Sequence, residues 1–574
     1  MAIFTIGKKQ KKTFKVASIS LACFFFFLLF WSFVAFWNFR AFYPHALNFF
    51  GFPGSNRNYL IVFQDNNELR PTGGSIPFYG ILKFRHGFFA GLTINSSKGA
   101  IAASSAELLP SPAFPDGAVD GLYSFKDANI DPSFPESAEH LEYFFKKTFP
   151  SLNLDGVIAA DFTALEDILS LAKSVKVEGV NVSVQDFFPW IEQKMLLEQK
   201  NVDQTAAGKF IKRLAWKNCA FFWNYQKLST TLEENFNEKH LMAYMKNPLL
   251  AQTMEDLQWS GKVSFPGKSD FIGWNMVNTS RLPEDRYLSR RANYTIDISQ
   301  NPDTTFQAIA TLDVRLFYVG NGSQPSDKQY RGVIRTFIPM ESQIMIKNAD
   351  REDTYNGAHV FSKEINLDPG QAATVRYRYV LPAYVLENNT YALALIKQPG
   401  VEDKIAVTVK APKEFLVSAE DFQVKEHVAL YEGTLKRDRT LRFALKNNPY
   451  PPLLTEKFFD GQNKLVLSFN RDVDAEDATD GLNFSIADKN TVIPYLTDRV
   501  VVQEISYEGD RIVLDLEGLS EQPGEEYEVT IKHLRDRNGR SSISADSTRI
   551  SLQIVSVVLV YTLKFAPMIG RRFL

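Results

Sequence analysis

Residues 58–84 read NYLIVFQDNNELRPTGGSIPFYGILKF. The flanks, Tyr59–Phe63 and Ile76–Phe84, are short, apolar and rich in aromatic and β-branched side chains, a composition suited to strands. Between them, Asn66–Ser75 packs two amides, a glutamate, an arginine, a threonine and two glycines into ten positions. Read as strand, polar loop, strand, the stretch predicts a pair of strands whose mouth carries chemistry. Gly73 and Gly74 allow close backbone approach to a ligand or a positive φ. Were the first strand to run on, alternation would turn Asp65 and Asn67 to one face and Asn66 and Glu68 to the other.

Working outward, GLTIN (91–95) adds a third apolar run, so residues 57–100 read as a β-meander. Helical signals follow. Pro135 can open a helix through ESAEHLEYFFKKTF, in which Leu141, Phe144 and Phe145 form a stripe and Lys146 and Lys147 favour the C-terminal end. LDGVIAAD (154–161) reads as a buried strand. FTALEDILSLA reads as a helix with Leu165, Ile168, Leu169 and Ala172 on one face and Asp161 as its N-cap. Helical patterns also fill 186–198, 203–218 and 230–257. Strands mixed with helices predict an α/β domain over 56–265. From 270 to 411 β-type runs dominate and predict an antiparallel sandwich, and 453–552 reads as a further β unit. Residues 553–574 form an apolar tail, interrupted by Lys564 and Pro567.

At 574 residues the chain exceeds one hydrophobic core, and two to four domains are expected. A formal charge of −2 gives no drive toward nucleic acid. The two cysteines, Cys23 and Cys219, exclude a disulfide framework, and the seven histidines contain no HExxH. Residues 1–15 are rich in lysine, and 16–37, VASISLACFFFFLLFWSFVAFW, carry no charge. Such a run suffices to cross a ~30 Å hydrocarbon core as a helix. The lysines before it predict a cytoplasmic N-terminus, and its bulky aromatic end predicts an uncleaved signal anchor with the bulk of the chain extracytoplasmic.

The stretch YLIVFQDNNELRPTGG (59–74) resembles the signature of a bacterial family known only as domain of unknown function 4012. KDANIDPSFPESAE, LDGVIAADFTALEDIL, RYLSRRANYTIDIS, RGVIRTFIP and YALALIKQPG are similar to later family segments in the same order, so the resemblance spans about 56–410. Lys126 stands where the family has Arg, Ile130 where it has Trp, and Ser133 where it has a second Asp; the family's Asn/Gly-rich motif near 278 is reduced to NTSRLPED. The 453–552 unit resembles the bacterial Ig-like domains of surface-layer proteins through KLVLSFNRDVD and YEVTIKHLRDRNG. The order of anchor, strand, polar loop and helix is remotely similar to the LytR-CpsA-Psr envelope transferases. That similarity implies an α/β domain of their kind, with arginines on a polyprenyl pyrophosphate and carboxylates on a divalent metal.

The residues of the opening stretch admit two readings. As chemistry, Arg70, Thr72, Gly73, Gly74 and Lys126 would bind a ligand, with Arg70 clamping phosphate through its planar fork. Glu68, Arg70, Asp127 and Asp131 are then the catalytic candidates, and Asp65 and Glu68 would hold Mg²⁺ through oxygen. As structure, Glu68 and Arg70 fix a loop, the glycines make a turn, and Asp127 and Asp131 serve turn and capping duty. Elsewhere, Asp472, Asp474, Glu476, Asp477 and Asp480 read as a solvated acidic loop, and Arg286, Arg290 and Arg291 as a solvated strand edge. The expected protein is a membrane-anchored envelope protein of structural or interaction type that can bind surface glycopolymer. The alternative is a glycopolymer transferase. An enzyme requires a pocket where Arg70 meets at least two carboxylates within about 6 Å.

Overall fold

The computed structural model describes residues 40, 42–98, 124–197, 205–219, 225–280, 282–301, 305–320, 329–448, 450, 452–460, 463–488, 500–519, 526–537, 539, 543 and 549–553. The expected anchor 16–37 and the tail beyond 553 lie outside them. Among the described residues no helix is long and apolar enough to cross a membrane. The chain is multidomain, with many sheets and some helices. It divides into two compact units: 1–297, 305–408 and 430–442 make the first, and 298–304, 409–429 and 443–574 the second.

The first unit begins with a short helix, Ala46–Phe50 (α1), and three antiparallel strands, Asn56–Arg70 (β1), Gly73–Arg85 (β2) and Phe88–Ser96 (β3). Helix Phe134–Thr148 (α2) leads to Gly156–Asp161 (β4), which pairs parallel to β1 from Tyr59↔Gly156 to Gln64↔Asp161. Helix Phe162–Ala172 (α3), the hairpin Ser174–Val177 (β5) and Val180–Ser183 (β6), and helices Val184–Leu197 (α4), Ala206–Cys219 (α5) and Tyr225–Asn237 (α6) follow. Strand Leu241–Met245 (β7) and helix Pro248–Asp256 (α7) complete the region. The sheet order is β3-β2-β1-β4-β7.

Alternation along β1 divides its side chains. Leu60 and Val62 join Leu141, Phe144 and Phe145 of α2 in one core. Ile61 and Phe63 join Leu165 and Leu169 of α3, Phe187 and Trp190 of α4 and Phe210 of α5 in another. Each such buried side chain contributes roughly 1.5–3 kcal/mol, so helices on both faces explain why the strand is wholly apolar from Tyr59 to Phe63.

Two expectations need correction. The segment 230–257 is not uniformly helical. Lys239 takes φ +59° just after α6, and the apolar run at 241–245 pairs with β4 as a strand. Asn247 then caps α7, its side chain accepting from the Leu249 and Leu250 amides. Nor is 66–75 a loop between strands: β1 extends to Arg70 and β2 starts at Gly73. Register breaks carry the polar residues instead. While β1 advances four residues, Asp65 to Leu69, β2 advances one, Ser75 to Gly74. Asn66, Asn67 and Glu68 are therefore the extra residues of a large bulge, the device by which a strand re-aims side chains.

Two further sheets fill the rest of the first unit. One runs Asp270–Asn278 (β8) beside Tyr330–Pro339 (β11), with Ala358–Leu367 (β14) and Arg351–Tyr355 (β13) beyond β11 and Thr390–Ile396 (β16) parallel on β8. The other contains Leu288–Gln300 (β9), Phe306–Tyr318 (β10), Gln343–Lys347 (β12), Ala372–Val380 (β15) and Asp403–Lys410 (β17).

In the second unit, Phe415–Ser418 (β18) pairs with residues 444–447. Further on, the sheets Leu454–Phe459, Lys464–Phe469, Arg511–Glu517, Val501–Glu508 and Phe484–Asp488, Glu526–Ile531, Arg549–Gln553 share one core. Leu465, Leu467, Leu514, Ile486, Val529 and Ile531 belong to it. The acidic stretch 472–480 is not simply a solvated loop. Asp474 caps a short helix by accepting from the Asp477 amide, and buried Asp477 accepts from Nε and Nη2 of Arg535 at 2.8 Å each.

Candidate functional site

The bulge gathers most of the candidates predicted around it. Arg70 is buried, and its guanidinium donates in every direction. Nε and Nη2 reach Asp127 Oδ1 at 3.0 and 2.7 Å, and Nη2 also reaches Glu68 Oε1 at 2.9 Å. Nη1 donates to the carbonyls of Leu69 and Asn278 at 2.9 and 3.0 Å. Lys126 Nζ, partly exposed, donates to both oxygens of Glu68 at 3.1 and 3.0 Å, and Ser75 Oγ donates to Oε2 at 2.9 Å. Two cations thus face two carboxylates. Burial pushes the Glu68 carboxyl up, but Arg70 and Lys126 outweigh it and hold the group below its usual range. For Arg70, burial opposes the charge, and Asp127 and Glu68 more than restore it.

Asp65 differs. It is buried at the start of the bulge, where its Oδ1 accepts from the Asn67 amide at 3.0 Å. Burial, reinforced by Glu68, pushes its carboxyl up to about 8.

Gly73 and Gly74 have structural causes. A Cβ on Gly74 would lie 1.9 Å from the Asp65 carbonyl oxygen, and one on Gly73, at φ +122°, would meet the Gln64 side chain at 2.4 Å. Thr72 Oγ1 donates to the Asn129 carbonyl at 3.4 Å, and Asn129 Nδ2 donates to the Gly74 carbonyl at 2.8 Å. Asp131 is not part of this cluster. Its Oδ1 accepts from the Tyr355 hydroxyl at 2.5 Å and the Ser133 amide at 2.9 Å. Burial raises its pKa although Tyr355 and Ser133 oppose the shift.

Beyond the last parallel pair of β1 and β4 lies a polar cavity of about 210 Å³, walled by Asn66, Asn67, Thr163, His240, Arg290 and Glu402 among others. The carboxyl ends of parallel strands are where open α/β sheets hold ligands. Asn66 Nδ2 donates to Thr163 Oγ1 at 2.8 Å and to the Gly400 carbonyl at 3.0 Å, which draws distant segments over the strand ends. Arg70 lines neither this cavity nor a larger one of about 580 Å³ whose wall includes Lys239, Lys262 and Asp438.

Asp285, Asp403 and His240 were not singled out from the sequence. Asp285 accepts from the Leu69 amide, Asn278 Nδ2 and the Tyr330 hydroxyl at 2.7–2.9 Å. Arg290 is largely buried and donates to Asp403 at 2.6 Å, a correction to the solvated-edge reading of RYLSRR; Arg286 and Arg291 pair with Glu192 and Glu432. His240 places Nδ1 2.6 Å from Asp161 Oδ2. The clustering of Arg286, Arg290 and Asp285 in sequence was a usable signal. A lone histidine beside a strand offered none.

No curated protein matches the chain. Among solved structures, a Legionella pneumophila protein described as nutrient binding aligns at 7% identity, covering 28% of this chain and 67% of its own, with a TM-score of 0.18. The Fcho1 Mu homology domain of Danio rerio, solved with a bound Eps15 peptide, aligns at 11% identity over 32% and 83%, with a TM-score of 0.14. Likeness at that level says nothing about fold or ligand. Residues 55–195 match the family described as "Protein of unknown function (DUF4012)", a narrower span than the 56–410 expected. That match takes in β1 with its bulge, strands β2 to β4 and helices α2 and α3, and about a quarter of the chain is thereby similar to the DUF4012 family.

Proposed function

We propose that this is a cell-envelope protein of structural or interaction type. Residues 16–37 hold it at the bilayer, and an extracytoplasmic body of α/β, sandwich and Ig-like domains engages surface partners such as glycopolymer. One observation carries the preference over a transferase: the Arg70 guanidinium is buried and committed to Asp127, Glu68 and two backbone carbonyls. A phosphate clamp needs donors facing an opening, and this fork faces its own strand and its neighbours. Both Glu68 oxygens already accept from Lys126, which favours a structural role over Mg²⁺ binding.

The test uses the full chain in detergent micelles. It is incubated with polyprenyl-pyrophosphate-linked glycan, with and without Mg²⁺, and separately with isolated envelope glycopolymer. The expected result is glycopolymer retention with no transferred product. Transfer that needs Mg²⁺ and is lost in Lys126→Gln, a change at a partly exposed side chain, would establish the transferase instead. In cells the full-length chain should partition with membranes and lose that association on deletion of residues 1–37; a full-length chain soluble in the cytoplasm overturns the reading.

A further inference from the structure

Glu402 lies more than 160 positions beyond Glu238 and His240, yet the three side chains converge. Glu238 and His240 flank the turn between α6 and β7, and Glu402 immediately precedes β17. One ligand atom from each lies within 4.8 Å of the others. We propose that these three side chains form a divalent-cation site of the zinc or manganese class, with Asp161 positioning the histidine.

His240 can ligate a metal only through the ring nitrogen that Asp161 does not hold. Asp161 Oδ1 accepts from the Ala164 amide at 2.9 Å as the N-cap of α3, so the carboxylate is anchored and acts as an acceptor. Its Oδ2 lies 2.6 Å from His240 Nδ1, which places the ring proton on Nδ1 and leaves a lone pair on Nε2. His240 is only 3% exposed, and its Nε2 is buried with no hydrogen-bond partner. A carboxylate on the far nitrogen of a ligating histidine is the usual way to fix ring and tautomer for a metal. Two carboxylates with one imidazole suit Zn²⁺ or Mn²⁺ better than Mg²⁺, which prefers oxygen alone.

The carboxylates already attract positive charge. Lys436 Nζ lies 3.6 Å from Glu238 Oε1 and 3.2 Å from Glu402 Oε1, at the end of a side chain more than half exposed. That ammonium can swing into solvent and leave its place to an ion of higher charge. Lys397 Nζ donates to the Glu238 carbonyl at 2.7 Å and steadies the turn. His240 and Glu402 also wall the 210 Å³ cavity, so water or a small anionic ligand has access to the remaining coordination positions.

The test titrates full-length protein, stripped with chelator and dialysed, with ZnCl₂, MnCl₂ and MgCl₂ in separate calorimetric runs. One Zn²⁺ or Mn²⁺ per chain is expected, with Mg²⁺ at least tenfold weaker. Glu402→Gln should weaken binding tenfold or more. Asp161→Asn, which keeps a capping side chain, should weaken it about tenfold. Glu402 is exposed, so its variant folds and carries the decision even if a buried-site variant does not. Absence of saturable binding to the wild type, or unchanged affinity in folded Glu402→Gln, overturns the proposal. Because Arg70 and Lys126 play no part here, failure of this site leaves the envelope reading standing.

Discussion

Arg70 shows how little a residue type says until its neighbours are known. In sequence its fork suggested a phosphate clamp; in the fold the same fork ties the bulge of β1 to Asp127 and to the Asn278 carbonyl. Arg70→Ala leaves Glu68 and Asp127 short of a buried partner and should cost about 3–5 kcal/mol, measured by denaturant unfolding. Asp65 carries the opposite lesson. Its folded pKa of about 8 lies above an unfolded value of about 3.9. Between the two, the folded chain holds a proton that the unfolded chain has lost, so this group's contribution to stability falls as pH rises. The slope is on the order of 1 kcal/mol per pH unit. Asp65→Asn should therefore gain stability relative to wild type between pH 5 and pH 8. A difference in thermal midpoint between the two proteins that stays constant across that range would show that Asp65 ionises normally. Neither behaviour was legible from residue type, because both depend on burial and on charges brought from outside the stretch.

Among the elements, the strands and helices with strong periodicity were readable. The stripe of α2, the Asp161 cap of α3 and the apolar cores of β1 and β2 are all local patterns. What escaped was any element whose form depends on a partner. Strand β7 is short and lies between two helices, so its apolar residues fit a helical period until β4 claims them as a strand. The bulge escaped because two glycines beside polar residues look like a turn, whereas Gly74 is there to let the Asp65 backbone pass. Gly74→Ala should accordingly be among the most damaging single changes, costing about 4 kcal/mol or more in equilibrium unfolding. A loss within about 0.5 kcal/mol, the range of an ordinary surface substitution, would mean that the strands separate easily there.

At the scale of the molecule, the multidomain character was legible from length and from the change of mixed helix and strand patterns to β-type runs after residue 270. The sequence did not reveal that the α/β region is completed by residues hundreds of positions later. The Leu69 amide donates to Asp285, the Arg70 carbonyl accepts from Gln398, and Asn66 donates to the Gly400 carbonyl. A chain stopped at residue 265 should remain open to limited proteolysis over 56–85, while the same segment resists it in the full chain. Such closures also bear on how the protein is made. Residues 66–70 leave the ribosome long before Gly400 exists, so the signature segment must wait, unfinished, while more than half of the polypeptide is synthesised and, if exported, threaded across the bilayer. The last bonds of the N-terminal sheet can therefore form only after about 70% of the chain has been made, and until then the bulge edge is open to non-native pairing.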